Sequence, residues 1–182
     1  MACVLAMCGV PCSGKTSLGR ILEQRMGWLF LDIDEIARQN GLQLIIDPSN
    51  SADATLRDRI RMDNVYDLLH IRVARELNRG ISAIVVATYS RRERFNALQE
   101  NVAIAGGELK VVRCVFTITD EEVQRRLELR DGDGGCVTIA HVRDVVNRFE
   151  DIVYPQLTVN TDTTESVDTI VDTILEYMKV QR

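Results

Sequence analysis

Proline is scarce in this chain, with 3 among 182 residues, and aromatic side chains make up only 5%. So few prolines exclude a proline-rich linker or recognition tract and leave room for long uninterrupted helices. No apolar run is long enough to cross a bilayer. No basic stretch precedes the N-terminal apolar run, so a secretory signal is not expected. The 5 cysteines (Cys3, Cys8, Cys12, Cys114 and Cys136) include no C-x-x-C pair. That odd, scattered set excludes a disulfide framework and implies free thiols in a reducing, cytoplasmic setting. The 2 histidines, His70 and His141, have no cysteine or carboxylate at metal-ligand spacing, so zinc chemistry is not expected. Cations are outnumbered: 22 Lys and Arg against 27 Asp and Glu give a net charge of −5. Extended nucleic acid, which draws on many Lys/Arg–phosphate contacts, is disfavoured as a partner, although a short 5′ end is not. A guanine-specific switch is disfavoured by the lack of an N-K-x-D segment. A mechanical ATPase is disfavoured because no apolar strand ends in Asp-Glu.

What the chain does have is Gly9-Val10-Pro11-Cys12-Ser13-Gly14-Lys15-Thr16-Ser17, a match to the phosphate-binding pattern G-x-x-x-x-G-K-[ST]. Gly9 and Gly14 allow backbone conformations that a side chain would block, so that loop N–H groups can turn inward around phosphate oxygens. Lys15 reaches the outer phosphates as a point charge, and the Thr16 hydroxyl is placed to ligate Mg²⁺. The setting agrees. Ala2–Cys8 is an apolar run that reads as a buried strand. Leu18, Ile21, Leu22 and Met26 then follow helical spacing, and Gly27 ends the helix. ATP and Mg²⁺ are the ligands this loop implies. Cys12 is read as a tolerated small residue, since the loop's chemistry uses no thiol there.

Apolar strands alternate with helical patterns along the rest of the chain, which argues for a parallel sheet covered by helices in one domain over 1–182. The expected strands after the first are Trp28–Leu31, Ile81–Ala87, Leu109–Phe116 and Gln156–Val159. A long helix is expected from about Ala54 to Asn78. Ser90 is read as the N-cap of a helix reaching about Ile104. Thr119-Asp120-Glu121-Glu122 opens another as a capping box, and Thr138 caps the next, which runs to about Glu150. The last helix covers about Glu165 to Lys179.

Asp32 and Asp34 fall at the carboxyl end of the second strand, the edge of an open α/β sheet where ligands bind. Phosphoryl transfer to a hydroxyl needs a carboxylate near the acceptor and a metal to neutralise charge. Asp34 is therefore the candidate base or substrate-orienting group. Asp32 is the candidate to hold Mg²⁺ through water, the alternative for the pair being that one of the two acids merely N-caps the following helix. Arg126 and Arg130 are four apart on one helix face, just before Asp131-Gly132-Asp133-Gly134-Gly135. A glycine-rich segment flanked by arginines suits a lid over about 125–142, bringing cations to the transferring phosphate. It is not a calcium loop, because its twelfth position is Val142 where a bidentate Glu is needed. Arg57, Arg59, Arg61, Arg91, Arg92 and Arg94 make a further basic group. Of these Arg61, Arg91 and Arg92, together with Arg38, are the candidates for acceptor binding.

With these residues in place the chain resembles the AAA-type P-loop small-molecule and nucleic-acid-end kinases. These include shikimate and gluconate kinases, chloramphenicol phosphotransferase and the kinase part of polynucleotide kinase. The likeness rests on Gly9–Thr16, Phe30–Ile36, Ala87–Arg94 and Arg125–Gly135, with Thr158–Thr163 similar to the family's base-contacting loop. It implies a five-stranded parallel sheet in order 2-3-1-4-5 with a short helical lid. It also implies nucleotide contacts from Arg126, Asn160, Thr161 and Thr163, and catalytic roles for Lys15, Asp34, Arg126 and Arg130. One departure is visible: many relatives carry Asp at the end of the third strand, where this chain reads Val85-Val86-Ala87-Thr88. The expected activity is transfer of the ATP γ-phosphate to a hydroxyl of a small molecule. A kinase for a nucleotide or a nucleic-acid 5′ end, and a slowly hydrolysing nucleotide-binding regulator, are the alternatives. No oligomeric state follows from the sequence.

Overall fold

In the computed structural model, which describes residues 1–42, 52–129, 137–162 and 166–179, the first apolar run forms β1 (Cys3–Cys8), buried along its whole length. Its side chains alternate between two cores, as strand geometry requires. Val4, Ala6 and Cys8 join one apolar cluster, while Leu5 and Met7 join another. A strand apolar on both faces belongs at the centre of a parallel sheet. β1 pairs in parallel with β3 (Ala83–Val86) on one side and β4 (Glu108–Val115) on the other. β2 (Leu29–Asp32) and β5 (Leu157–Asn160) complete the order β2-β3-β1-β4-β5. This is the five-stranded 2-3-1-4-5 sheet that the resemblance implied.

The two faces are covered by different helices. On one side α3 (Ala52–Asn78) and α4 (Arg92–Ile104) supply Val65, Leu69, Val73, Phe95 and Leu98. They share that core with Ile33 and Ile36 of α2 (Ile33–Gln39). On the other side α1 (Lys15–Met26) and α7 (Val167–Lys179) supply Leu18, Leu22, Ile170, Val171 and Ile174. A fully buried side chain of this size contributes about 1.5–3 kcal/mol by leaving water, so these two layers dominate the stability of the sheet. A small third cluster of Phe116, Val123 and Val142 lies under α5 (Asp120–Glu128) and α6 (Ile139–Asn147), beside the phosphate loop residues Val10 and Cys12.

Thr119 and Thr138 cap α5 and α6 with their hydroxyls, as their sequence setting suggests. Ser90 does not cap α4. The N-cap is Arg91, and the first helical N–H, that of Arg92, is taken at 2.7 Å by the Glu150 carboxylate from far along the chain. Ser90 is buried instead, its carbonyl accepting the Glu150 N–H at 3.0 Å. Glu150 is thereby spent on α4, and α6 ends at Asn147 rather than reaching it. The second strand extends to Asp32, one residue further than its apolar run, because Asp32 pairs with Val86 before turning into α2.

Candidate nucleotide and acceptor site

The phosphate loop leaves β1 at Gly9, whose φ of 140° lies outside the range of ordinary L-residues. A Cβ there would sit 2.3 Å from the carbonyl oxygen of Cys114 on β4, so only glycine lets the loop start this close to the sheet. The loop then turns left-handed again at Cys12 (φ 68°) and Gly14 (φ 78°) before α1 begins at Lys15. α1 has no side-chain cap and no acidic residue in its first turn, so its positive end is left for an anion. Ser13 is fully buried, and its N–H closes the loop onto the Val10 carbonyl at 3.3 Å. Lys15 folds over the loop, donating from Nζ to the Val10 carbonyl at 2.7 Å and to Ser13 Oγ at 3.3 Å. Pro11 and Ser17 complete the nine residues, with Ser17 exposed on the first turn of α1.

Thr16 and Asp32 meet at the loop's edge, where Thr16 Oγ1 donates to Asp32 Oδ2 at 3.1 Å. The other Asp32 oxygen, Oδ1, accepts the Asp34 N–H at 2.8 Å and so caps α2. Capping and contact with Thr16 are thus combined in one side chain. Burial raises the Asp32 pKa above the usual carboxylate value, and the nearby charge of Asp34 adds to the rise. A hydroxyl and a carboxylate oxygen make a hard donor set of the kind Mg²⁺ takes together with phosphate and water. Among the described residues no cluster of three or more His, Cys, Asp or Glu could hold a metal alone.

Asp34 is exposed in the first turn of α2. Its charge raises the pKa of Asp32 and of the Tyr66 phenol of α3, in both cases as a smaller cause than burial. His141, to which the sequence offers no metal-ligand spacing, is half-buried on α6. Its pKa is lowered, first by burial and then by the Arg148 charge.

Arg126 lies at the opposite end of the loop, and its whole guanidinium is engaged. Nη1 donates to the Cys12 carbonyl at 3.1 Å and to Thr161 Oγ1 at 2.9 Å. Nη2 donates to the Thr161 carbonyl at 3.1 Å and to Asp162 Oδ1 at 2.5 Å, and Nε donates to Glu122 at 2.5 Å. The group also stacks 4.3 Å from the centre of the Phe116 ring. Thr161, held by the Val115 carbonyl, reaches to within 3.5 Å of where a Gly14 Cβ would stand. Asn160 accepts the Asp162 N–H at 2.9 Å. The loop after β5 is therefore fixed against the phosphate loop through Arg126. Arg130, Thr163 and the glycine segment Asp131–Gly135 lie outside the described residues.

Two of the four acceptor-side candidates are paired with carboxylates. Arg61 pairs with Asp58 at 3.6 Å and Arg91 with Glu93 at 3.3 Å. Arg92 is exposed and touches Glu150 through its backbone, and Arg38 is exposed at the end of α2. Arg94 is the most buried of the ion-paired arginines here, although sequence reasoning did not single it out. It bonds Asp63 from two nitrogens at 2.9 and 2.7 Å and lies over the Tyr66 ring at 4.7 Å. Arg59, Asp63, Tyr66, Asp67, Glu93 and Arg94 line a cavity of about 220 Å³ between α3 and α4.

Residues 4–152 match the protein family described as an AAA domain. UPF0200 protein PAE1629 of Pyrobaculum aerophilum is 35% identical over 66 residues, a match spanning 36% of this chain and only 37% of that protein. Among solved structures the fold is shared by a candidate kinase of Chloroflexus aurantiacus, with a TM-score of 0.74 and 19% identity over 100% of this chain and 98% of that one. A sugar kinase of Janibacter sp. gives a TM-score of 0.72 and 14% identity over 100% and 96% of the two chains. The APS kinase of Mycobacterium tuberculosis, solved with AMPPNP and APS, gives 0.69 and 19% over 98% of each. At such identities the likeness is one of fold.

Proposed function

The chain belongs to the AAA domain family, and from that premise we propose that it is an ATP- and Mg²⁺-dependent phosphotransferase moving the γ-phosphate to a hydroxyl of a small molecule. The observation that carries the proposal is the Thr16–Asp32 contact at 3.1 Å, beside a phosphate loop whose lysine is already folded inward. In this reading Gly9 to Ser17 bind the polyphosphate, with Lys15 moving from the Val10 carbonyl onto the outer phosphates. Thr16 and Asp32 would hold Mg²⁺, whose charge would offset that of the transferring group. Asp34 orients the acceptor hydroxyl and accepts its proton. Arg126, Asn160 and Thr161 form the nucleotide-base end, and Arg130 and Thr163 complete the phosphate and base contacts.

The names of the neighbours support kinase chemistry, and one of them was solved with an ATP analogue and an acceptor. The acceptor side favours a small molecule over a nucleic-acid end. The arginines in ion pairs there, Arg59, Arg61, Arg91 and Arg94, are each held by a carboxylate rather than laid out as a basic groove. Arg38, Arg61, Arg91 and Arg92 serve as peripheral acceptor contacts in this reading. The chain acts as one kinase domain with its lid at about 125–142. Its cysteines Cys3, Cys8 and Cys114 are free thiols, which fits a cytoplasmic setting. Among the described residues no helix is long and apolar enough to cross a membrane.

The test is transfer of label from [γ-³²P]ATP with Mg²⁺ to a small-molecule extract, with ATP hydrolysis followed in parallel. Labelled acceptor formed by the wild type and lost in Lys15→Ala supports the proposal. Hydrolysis without any labelled acceptor refutes it.

A further inference from the structure

Among the described residues two non-glycines have positive φ, Cys12 in the phosphate loop and Tyr89 at φ 50°. Tyr89 follows β3 at the sheet edge that carries the candidate site, and its side chain is fully buried. A bulky residue in this conformation costs about 1–3 kcal/mol and persists only where its surroundings over-determine it. Those surroundings are specific. The Tyr89 N–H donates to the Tyr66 hydroxyl oxygen at 3.0 Å. The Tyr89 phenol lies 3.3 Å from Nε2 of His70, itself buried. The rings of Tyr66 and Phe95 stand 5.2 and 5.8 Å from its own.

The residues on either side of Tyr89 reach further. The Thr88 carbonyl accepts the N–H of Gly9, the first residue of the phosphate loop, at 3.3 Å. The Ser90 carbonyl accepts the N–H of Glu150, just past α6. One turn thus touches the nucleotide loop, the segment behind α6 and helix α3. Tyr66 is its only hydrogen-bonded link to α3 among the described residues apart from His70. Tyr66 also lines the α3–α4 cavity and carries Arg94 on its ring.

We propose that Tyr66 is a positioning residue for the transfer reaction. Its hydroxyl holds the Tyr89 N–H, keeps the turn after β3 left-handed, and so sets the acceptor wall of α3 in register with the phosphate loop at Gly9. The inference rests on the phosphotransferase reading above. Tyr66 supplies no reacting atom. Its part is alignment, which matters because a misplacement of about 1 Å between reacting groups can cost about 100-fold in rate.

Tyr66→Phe keeps the ring and removes the hydroxyl. The expected result is a fall in kcat of about tenfold, with ATP affinity within about twofold of wild type. Amide hydrogen exchange at both Tyr89 and Gly9 is expected to quicken by about tenfold. A merely structural tyrosine would lower the melting temperature and leave kcat of the folded protein unchanged. That outcome, a loss of ATP affinity in step with kcat, or unaltered exchange at Gly9 would each overturn the proposal. If the variant does not fold, exchange in the wild type with and without AMPPNP replaces it. Added protection at Tyr89 on nucleotide binding supports the link, and none refutes it. Should the wild type transfer no phosphate, the phosphotransferase reading fails, while the exchange at Gly9 still decides whether Tyr66 reaches the loop.

Discussion

Thr16 Oγ1 and Asp32 Oδ2 stand 3.1 Å apart, although the two residues belong to different helix–strand junctions. The contact brings a hydroxyl at the start of α1 to a carboxylate at the end of β2. Asp32→Asn tests what it does. Asparagine caps helices about as well as aspartate, so α2 should survive. On the proposed function, transfer should fall at least about tenfold and should demand more Mg²⁺, since the metal would lose an anionic partner. The folded-state pKa of Asp32 is raised, so its ionisation opposes folding: stability falls as pH rises from the ordinary carboxylate value through the raised one. Asp32→Asn should remove that slope. Mg²⁺ titrations of transfer and denaturant melts across the acid range measure both.

Lys15→Ala should abolish productive ATP use. Its Nζ holds the Val10 carbonyl in the structure described here, so the loop loses an internal tie as well as a phosphate ligand. Calorimetric titration with AMPPNP should show binding weakened by about 100-fold or more, with far-UV dichroism unchanged. Undiminished binding would remove the phosphate-site assignment.

Asp34→Asn separates chemistry from nucleotide binding. A positioned base is worth about 10²–10⁴ in rate, and Asp34 lies outside the phosphate loop. Transfer should therefore drop by about 100-fold or more while ATP affinity stays within about twofold. Equal losses in both would point to the metal or the fold.

Arg126→Ala should be costly to the fold, not only to turnover. The side chain bridges Cys12, Thr161, Asp162 and Glu122 and covers Phe116. Removing one partner of this partly exposed network costs about 1–3 kcal/mol. Differential scanning calorimetry should show a melting temperature lower by several degrees. A stable variant with lost activity would make Arg126 a purely functional residue.

Glu122 gives that network a pH signature. Its hydrogen bonds to Arg125, then Arg126, hold its pKa down at about 2. A depressed carboxylate stabilises the fold fully above its unfolded value, 4.5, and loses that contribution as pH falls towards about 2. Glu122→Gln should flatten stability over this window, as read from urea midpoints at a series of acid pH values.

The phosphate loop was legible because its chemistry is local: nine consecutive residues, each with its own backbone or charge requirement. The sheet order came through the resemblance, and the strand alternation behind it is a nearest-neighbour pattern. Other features depend on contacts that no window of sequence contains. Glu150 caps α4 across 58 residues, displacing the nearer Ser90. Tyr89 accepts a left-handed backbone only because Tyr66, His70 and Phe95 surround it from two other helices. Arg94 reads as one of many surface arginines until Asp63 and the Tyr66 ring stand beside it. His141 lacks a motif, and only the packing of α6 lowers its pKa, chiefly by burial.

The strand feeding the nucleotide grip, β1, precedes both of its partners in the chain, since β3 and β4 end only at Val86 and Val115. On the ribosome β1 must wait as an apolar segment with unpaired edges until β4 has emerged. A nascent chain halted before β4 would carry the complete G-x-x-x-x-G-K-T signature and still hold no ATP. Binding competence should therefore appear late and abruptly during translation, a timing that chains arrested at successive lengths would record.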